Sequence, residues 1–244
     1  MDFLDFIIFF LWVFIFHLFF SFRRKRYKRP VLKKYHRRGF WIKVMASLAY
    51  SMFVLYLSPG DTTLLYYPEG VNIYRLILDD PSNFSILIQP AAQFDQALLA
   101  DISNSGYFDH ESNFMVARFV AIFSFFTMGK FLAINLFFAM FAFTGAWRLY
   151  RFFFEQYEYL HKQFAIAIVF LPTFVFWSSG ILKDSLCIAA LGWVTYSMHS
   201  IFYTKNNIFR NLLMLLFFTW LLALVKVYIL LSYMPFFILF LLLK

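Results

Sequence analysis

The chain of 244 residues has a single cysteine, Cys187, which lies in an apolar segment. One cysteine can form neither an intrachain disulfide nor a cysteine-based metal cluster, so we expect it to be a small buried side chain. The sequence also has no glycine-rich phosphate loop, no zinc-binding HExxH helix and no GxSxG serine elbow. The chain therefore carries none of the common signatures of soluble nucleotide-dependent, zinc-dependent or serine-dependent enzymes.

Charged residues are scarce, at 14% of the chain, whereas hydrophobic residues make up 62%. Soluble domains have roughly 45–50% apolar residues. A soluble core of this length could not cover the 38 phenylalanines, but lipid could. We therefore predict an all-α, polytopic helical membrane protein, a single membrane domain over residues 1–244 with about seven transmembrane helices.

Charges of opposite sign are separated along the chain. Eleven of the 22 basic residues lie in the run 23–43, and eight of the 13 acids lie in the stretch 58–112, where Arg75 is the single basic residue. Basic loops stay on the cytoplasmic side of a membrane. This rule predicts a cytoplasmic basic loop at residues 23–39 and an extracytoplasmic loop at residues 58–113.

The net charge of +9 does not indicate a nucleic-acid partner. The basic residues cluster beside a predicted span, where anionic lipid headgroups attract them by about 1 kcal/mol per residue. We expect membrane lipid as a partner and no nucleic acid, and the sequence leaves the oligomeric state open.

Segments of about 20 apolar residues predict the spans. The first, Phe3 to Phe22, is preceded by acids and followed by basic residues, so we expect a retained anchor with an outer N-terminus. The later predicted spans are Phe40–Leu57, Phe131–Arg148, Gln163–Gly180, Ser185–Tyr203, Asn211–Leu224 and Tyr228–Leu243. Residues 163–203 thus form a helical hairpin with its turn, Trp177 to Asp184, outside.

The stretch from residue 113 to residue 150 has two interpretations. It forms either two short spans that turn at Gly129, or one interfacial or re-entrant segment, Phe114–Met128, followed by one full span. The positive-inside rule favours the second interpretation, because it leaves Arg148 and Arg151 on the cytoplasmic side.

Two apolar stripes in the extracytoplasmic loop have helical spacing and predict short amphipathic helices on the outer leaflet. The stripes are Val71, Tyr74 and Leu78, and Phe94, Leu98 and Ile102. Pro81 and Pro90 separate the two pieces.

Four basic residues break the positive-inside pattern, because this topology places Arg118, Lys130, Lys183 and Lys226 at or near the outer face. Ionisable groups in or near the membrane are costly and often functional. They suggest a site for an anionic group such as a lipid phosphate. The alternative is that each side chain reaches the interface on its own.

A Pro-Gly turn, Ser58 to Asp61, follows the second predicted span, with Tyr66 and Tyr67 a few residues on. The turn holds Asp61 at the membrane surface. There its carboxylate could act as a general base toward a hydroxyl or as a metal ligand. The alternative is a solvated acid that caps the next helix.

A second motif, Pro172 to Asp184, ends a predicted span at the outer face. Trp177 is either an interfacial aromatic residue or a platform on which a sugar stacks. Lys183 could pair with a phosphate, and Asp184 could cap the helix that follows. The run Asp109–Glu111 offers three metal-ligand types, but contiguous spacing does not favour a metal site.

Taken together, these motifs resemble the GT-C superfamily, integral-membrane glycosyltransferases that use polyprenyl-phosphate sugars. The resemblance covers roughly Phe40 to Tyr203. Its motifs, in chain order, are the Gly60-Asp61 turn with Tyr66, Arg118 at the start of the next membrane segment, Trp147 to Arg151 inside, and Pro172 followed by Asp184. This order is similar to that of bacterial members that build surface polysaccharides, which implies a bacterial cytoplasmic-membrane protein.

The resemblance implies roles. Asp61 would activate the acceptor hydroxyl, and Asp184 would orient the acceptor or a divalent metal, although no metal ligand is assigned. Arg118 and Lys183 would hold the lipid phosphate. Tyr66, Tyr67 and Trp177 would complete the substrate site. Members of the superfamily usually have more spans and often a soluble C-terminal domain, so we expect this chain to be a truncated relative.

Two other classes compete with a transferase. A transporter subunit for lipid-linked sugar predicts charges in mid-membrane along a water path. A non-catalytic membrane partner predicts that Asp61, Lys183 and Asp184 do not meet in space.

Overall fold

The computed structural model describes residues 2–205 and 207–243, so Met1, Asn206 and Lys244 of the predicted domain lie outside the described residues. Every regular element within these ranges is helical, which confirms the all-α prediction. The α-helices are α1 (Phe3–Lys25), α2 (Pro30–Met52), α3 (Tyr67–Asp79), α4 (Ser105–Phe108), α5 (Glu111–Thr127), α6 (Phe131–Gln156), α7 (His161–Ala165), α8 (Pro172–Trp177), α9 (Lys183–His199) and α10 (Ile208–Leu243).

Five segments of the described chain are long and apolar enough to cross a membrane. They are Phe3–Lys25, Pro30–Leu57, Phe131–Gln156, Lys183–Thr204 and Ile208–Leu243. Their exposed surface is rich in phenylalanine and leucine, as expected where side chains face lipid. The five helices indicate a membrane protein. Their number differs from the predicted seven because the predicted span 163–180 is broken at Leu171, and the predicted spans 211–224 and 228–243 both lie within Ile208–Leu243.

The bundle has two chemically different ends. We call the end where α1 finishes and α2 begins the basic end; Arg29 there pairs with Glu158 at 3.1 Å. We call the opposite end, which bears the loop 58–112, the acidic end; Lys130 there pairs with Asp2 at 3.2 Å. The basic end is the one that the sequence predicts to face the cytoplasm.

The connection between α1 and α2 is much shorter than the loop predicted at residues 23–39. Helix α1 continues through Lys25 and α2 starts at Pro30, so only residues 26–29 connect them. Proline suits the first helical turn because its missing N–H would have no partner there. The backbone is helical through Lys25 and again from Pro30, because long lysine and arginine side chains can carry their charge away from an apolar surface. The basic run therefore marked neither helix end correctly.

Helix α5 starts and ends toward the acidic end. Near its start, Ser112 accepts a hydrogen bond from Lys183 at 3.1 Å. Just after its end, Gly129 adopts φ 72° and the chain turns into α6 beside the Lys130–Asp2 pair. Within residues 113–150, α6 is long and apolar enough to cross a membrane, and α5 is not among such helices. The interfacial or re-entrant position of α5 stays a prediction.

Glycine lets α6 and α9 pack closely. A Cβ on Gly145 would lie 2.3 Å from the carbonyl oxygen of Ala189, and a Cβ on Gly192 would lie 2.0 Å from that of Gly145. Such close backbone approach is typical of small residues between membrane helices. The contact fixes α9, which begins at Lys183 and Asp184.

The first arm of the predicted hairpin 163–203 is broken. Leu171 is extended, with φ −62° and ψ 117°, and α8 begins at the next residue, Pro172. The residue before a proline avoids helical geometry because of a clash with the proline ring. The sequence predicted a kink at Pro172, and the structure has a full break in the helix there.

Helix α10 reverses direction at Lys226, whose φ of −150° and ψ of 78° are not helical. Lys226 contacts Asp184 at the acidic end, whereas the carbonyl of Leu241 accepts a hydrogen bond from Tyr203 near the basic end of α9. The chain therefore goes to the acidic end and returns. We call these two parts the first and second arms of α10.

The loop predicted at residues 58–113 contains one of the two predicted amphipathic helices. Helix α3 includes the stripe of Val71, Tyr74 and Leu78, but it packs against α5 instead of lying free on the leaflet. A Cβ on Gly70 would lie 2.6 Å from the carbonyl oxygen of Ala117. The helix is thus part of the protein core at the acidic end.

The predicted helix through Phe94, Leu98 and Ile102 is wrong, because this stretch forms short 3₁₀ turns. The side chain of Asp95 accepts a hydrogen bond from the Ala97 amide at 2.9 Å, and that of Asp101 from the Ser103 amide at 3.0 Å. Such local bonds compete with a continuous helix, and helical spacing of apolar residues does not reveal them.

Candidate functional site

The two sequence motifs contact each other at the acidic end. The Thr62 hydroxyl donates to the carbonyl of Ile181 at 2.8 Å and accepts from the Tyr50 hydroxyl at 2.7 Å. Gly180 lies directly on the Tyr50 ring, which a Cβ would approach to 2.0 Å. Position 180 requires glycine because a side chain there would clash with the Tyr50 ring. Together with the Thr62 bonds, this contact joins the turn that carries Asp61 to the turn that precedes Asp184.

Two buried polar residues hold the second turn in place. The side-chain oxygen of Asn135 accepts from the Ile181 amide at 3.0 Å. The Lys43 ammonium, only 2% exposed, donates to the carbonyl of Ser178 at 2.7 Å and to the hydroxyl of Ser179 at 3.2 Å. Because each buried polar group has partners, the turn has a defined geometry.

Asp61 is exposed and belongs to a hydrogen-bonded chain of phenols. The Tyr107 hydroxyl lies 2.7 Å from the Asp61 carboxylate and 2.7 Å from the Tyr66 hydroxyl. A phenol has one proton to donate. Tyr107 donates this proton either to the Asp61 carboxylate or to the Tyr66 oxygen, and so links the two groups.

Burial raises the pKa of Tyr66 to about 12, and the charges of Asp61 and Asp184 add to the rise while Lys226 and the bond with Tyr107 oppose it. Burial together with these bonds also raises the pKa of Tyr107. Both phenols therefore stay protonated near neutral pH. The Tyr66 hydroxyl experiences the charges of Asp61, Asp184 and Lys226 together, so these side chains surround a single region.

Asp184 and the two nearby lysines form the other half of the cluster. Asp184 accepts from the Lys226 ammonium at 2.6 Å, and its side chain is 49% exposed. Lys183 donates to the Ser112 hydroxyl at 3.1 Å. Within residues 2–205 and 207–243, no carboxylate lies within ion-pair distance of Lys183. Lys183 is therefore a cation with no ion-pair partner in the described part of the chain.

An apolar groove of about 460 Å³ adjoins this cluster, between α8, α9 and the second arm of α10. Its lining residues are Leu171, Thr173, Phe174, Trp177, Asp184, Cys187, Ile188, Leu191 and Ile229. Asp184 is the one charged residue in that lining, and Trp177 is exposed at the rim. The groove thus offers an apolar surface that ends at a charged group.

The structure places Arg118 outside the cluster. It is 3% exposed, and its guanidinium donates to the Ile86 and Gln89 carbonyls and pairs with Glu111. It also lies over the Phe114 ring, 4.5 Å from the centroid. These partners occupy the guanidinium, so Arg118 holds the loop against α5. The sequence had suggested instead that Arg118 binds a phosphate.

Tyr67 and Lys130 also lie apart from the Asp61–Asp184 cluster. The Tyr67 hydroxyl donates to the Gly129 carbonyl at 2.9 Å, and Lys130 pairs with Asp2. Each has a partner that stabilises the turn between α5 and α6. Of the predicted site residues, Asp61, Tyr66, Trp177, Lys183 and Asp184 surround the cluster and its groove.

The carboxylates of the described residues do not form a metal-binding set. No group of three or more His, Cys, Asp or Glu side chains converges there. Asp61 binds Tyr107 and Asp184 binds Lys226. Since the two acids have proton-donating or cationic partners, this donor set does not fit a divalent metal.

Sequence reasoning missed three residues that shape the site. Lys43 and Asn135 are polar residues inside predicted spans, which is itself a signal that they face other protein groups. Tyr107 carries no such signal, because its contacts with Asp61 and Tyr66 depend on how the long loop folds back. Comparisons of the chain with protein-family models, with curated proteins and with solved structures found no match.

Proposed function

We propose that this chain is a membrane glycosyltransferase of the GT-C kind, which moves a sugar from a polyprenyl phosphate to an acceptor hydroxyl on the extracytoplasmic face. The main support is the position of Asp184, which belongs both to the charged cluster and to the lining of the apolar groove. A lipid-linked donor needs this combination, an apolar surface for the chain beside polar groups for the phosphate and sugar.

The proposal includes a topology of about seven crossings. Helices α1, α2, α6 and α9 each make one. The broken segment 161–177 makes another, and the two arms of α10 make one each. This arrangement keeps Asp61 and Asp184 on the extracytoplasmic side and leaves the basic end in the cytoplasm of a bacterial cell.

In this proposal the polyprenyl chain lies in the groove against Ile188 and Leu191. Its phosphate lies at the acidic end of the groove, within reach of Lys183 and Lys226. Ile229 lines the groove and follows Lys226 by three residues, just after the point where α10 reverses, so the apolar wall and the cation are close along the chain. Trp177 at the rim would stack on the sugar.

Asp61 would act as the general base. It takes the proton from the acceptor hydroxyl as the acceptor oxygen bonds to the anomeric carbon, and the bond from that carbon to the phosphate oxygen breaks. The polyprenyl phosphate leaves with the bonding electron pair, and its negative charge is stabilised by Lys183 and Lys226. Tyr107 orients the Asp61 carboxylate through its hydrogen bond.

The test is sugar transfer by the purified protein in vesicles that contain radiolabelled polyprenyl-phosphate sugars. Asp61→Asn should lower the rate at least about a hundredfold, because a general base contributes about 10²–10⁴. The matched control is Asp109→Asn, an exposed acid in the same loop, which should leave the rate unchanged. Normal transfer by Asp61→Asn would remove Asp61 from the mechanism.

The same vesicles separate the alternatives. Lipid-linked sugar that crosses the bilayer with no new glycosidic bond would indicate a transport subunit. Absence of both transfer and crossing, even when acceptor polysaccharide is supplied, would indicate a non-catalytic partner.

A further inference from the structure

The basic end contains a small cavity of about 80 Å³, lined by residues of α1, α2, α6 and α9 and by Tyr27. We propose that it binds a phosphate group, either that of an anionic lipid headgroup or inorganic phosphate. Its lining includes Arg23, His36 and Arg148, and no acid. It lies at the opposite end of the bundle from Asp61, so this proposal does not depend on the transferase activity.

Arg148 is the central group of the cavity. It is only 7% exposed, and its guanidinium lies between the rings of Trp193 and Tyr196, at 4.4 Å and 4.6 Å from their centroids. The neighbouring Arg151 pairs with Glu155. Arg148 has no hydrogen-bond acceptor and no carboxylate partner in the part of the chain that the structure describes.

The contacts of Arg148 with the two rings do not compensate for the free-energy cost of burying its charge. A desolvated cation–π contact is worth about 2 kcal/mol. A buried, unpaired ion costs several kcal/mol even after relaxation. A bound anion would neutralise Arg148 and satisfy the N–H groups that line the cavity.

Two further polar side chains, His36 and Tyr27, belong to the lining of the cavity. His36 is 2% exposed, and its Nδ1 atom has no hydrogen-bond partner among residues 2–205 and 207–243. The Tyr27 hydroxyl accepts a hydrogen bond from Trp147 at 2.7 Å, which leaves its own hydrogen free to donate. Half-buried Arg23 stands at the edge of the cavity.

The size and position of the cavity suit phosphate. One water takes up about 30 Å³ in the liquid, so about 80 Å³ is room for a small tetrahedral anion. Two guanidinium groups supply the paired N–H donors that phosphate oxygens accept well. The cavity lies beside the last turn of α1, where Arg23 to Lys25 would meet the cytoplasmic headgroups.

The experiment measures phosphate binding by purified protein in a neutral detergent, with two probes. Native mass spectrometry counts bound phosphatidylglycerol, and calorimetric titration measures binding of sodium phosphate. Arg148→Gln should weaken binding at least about tenfold, because it removes a charge-assisted fork. Arg37→Gln on the exposed side of α2 is the matched control and should leave binding unchanged.

The two probes identify the source of the phosphate. If Arg148→Gln loses lipid binding alone, the site binds a lipid headgroup. If Arg148→Gln loses sodium phosphate binding, the site binds the free ion. Failure of both probes to bind the unaltered protein, or equal binding by Arg148→Gln, would overturn the proposal. If Arg148→Gln does not fold, Arg148→Lys and Tyr27→Phe replace it, and unchanged binding by both would overturn it equally.

Discussion

Lys226 lies 2.6 Å from Asp184, and this ion pair joins the point where α10 reverses to the first turn of α9. The pair is partly exposed, with side-chain exposures of 23% for Lys226 and 49% for Asp184. Exposed ion pairs contribute only about 0–1 kcal/mol to stability. The pair therefore matters more for the charge it places beside the groove than for the fold.

Lys226→Ala should lower transfer from a polyprenyl-phosphate sugar at least about tenfold, because a cation at the leaving phosphate is lost. The thermal unfolding midpoint in detergent should change little. Lys162→Ala, at an exposed lysine of the basic end, should leave transfer intact. Unchanged transfer by Lys226→Ala, with the control also unchanged, would remove Lys226 from the donor site.

Lys43 should be among the most sensitive positions for stability. Lys43→Met leaves the Ser178 carbonyl and the Ser179 hydroxyl in a buried environment without this donor, at a cost of about 1–3 kcal/mol. The measurement is thermal unfolding in detergent, with Lys34→Met on the exposed side of the same helix as control. Equal unfolding midpoints for the two variants would contradict the assigned role.

The Arg118→Lys variant distinguishes a structural role of Arg118 in the loop from a role in binding the donor phosphate. Lysine keeps the charge but cannot form the fork that binds Glu111 and the Ile86 and Gln89 carbonyls. We expect faster hydrogen exchange in residues 86–91 and an unchanged KM for the donor. A raised KM with unchanged exchange would restore the phosphate role that the sequence suggested.

Charge and hydropathy predicted the apolar helices and two of the places where they are interrupted. The reversal of α10 falls between the predicted spans 211–224 and 228–243, because Lys226 interrupts a long apolar run. The break at Pro172 follows from the geometry of proline. The shared location of Asp61 and Asp184 follows from the separation of acidic and basic loops, although their connection through Thr62 and Ile181 does not.

Features that depend on tertiary contacts could not be predicted in this way. Arg118 looked like a cation without a partner because its acceptors, the carbonyls of Ile86 and Gln89, are backbone groups of a distant loop. Glu111 lies two helical turns away on α5, so that contact was open to sequence reasoning. Tyr107 joined the site only through the folding of residues 81–104 into short turns.

Glu69 should make the loop sensitive to pH. Burial raises its pKa above the ordinary value of 4.5, although bonds from Asn72 and the Ala100 amide oppose the rise. The folded loop therefore holds the proton more tightly than the unfolded loop. The contribution of Glu69 to the stability of the loop is complete at pH values below its ordinary pKa. This contribution is lost as the pH rises through the raised pKa of the folded loop.

The check is hydrogen exchange of the Ala100 amide, which donates to Glu69 at 3.0 Å. After correction for intrinsic exchange, protection should be greater at about pH 4 than at about pH 7. Glu69→Gln should remove this pH dependence. Greater protection at neutral pH would mean that the ionised carboxylate is the form that the loop favours.

Photo-crosslinking of a polyprenyl phosphate that carries a diazirine near its phosphate tests the donor site most directly. The label should appear on peptides from residues 171–191 and 226–233. Leu191→Trp, which fills the groove, should reduce it about tenfold, and Leu212→Trp on the exposed first arm of α10 should not. Label spread evenly over the lipid-facing helices and insensitive to Leu191→Trp would contradict the proposed donor site.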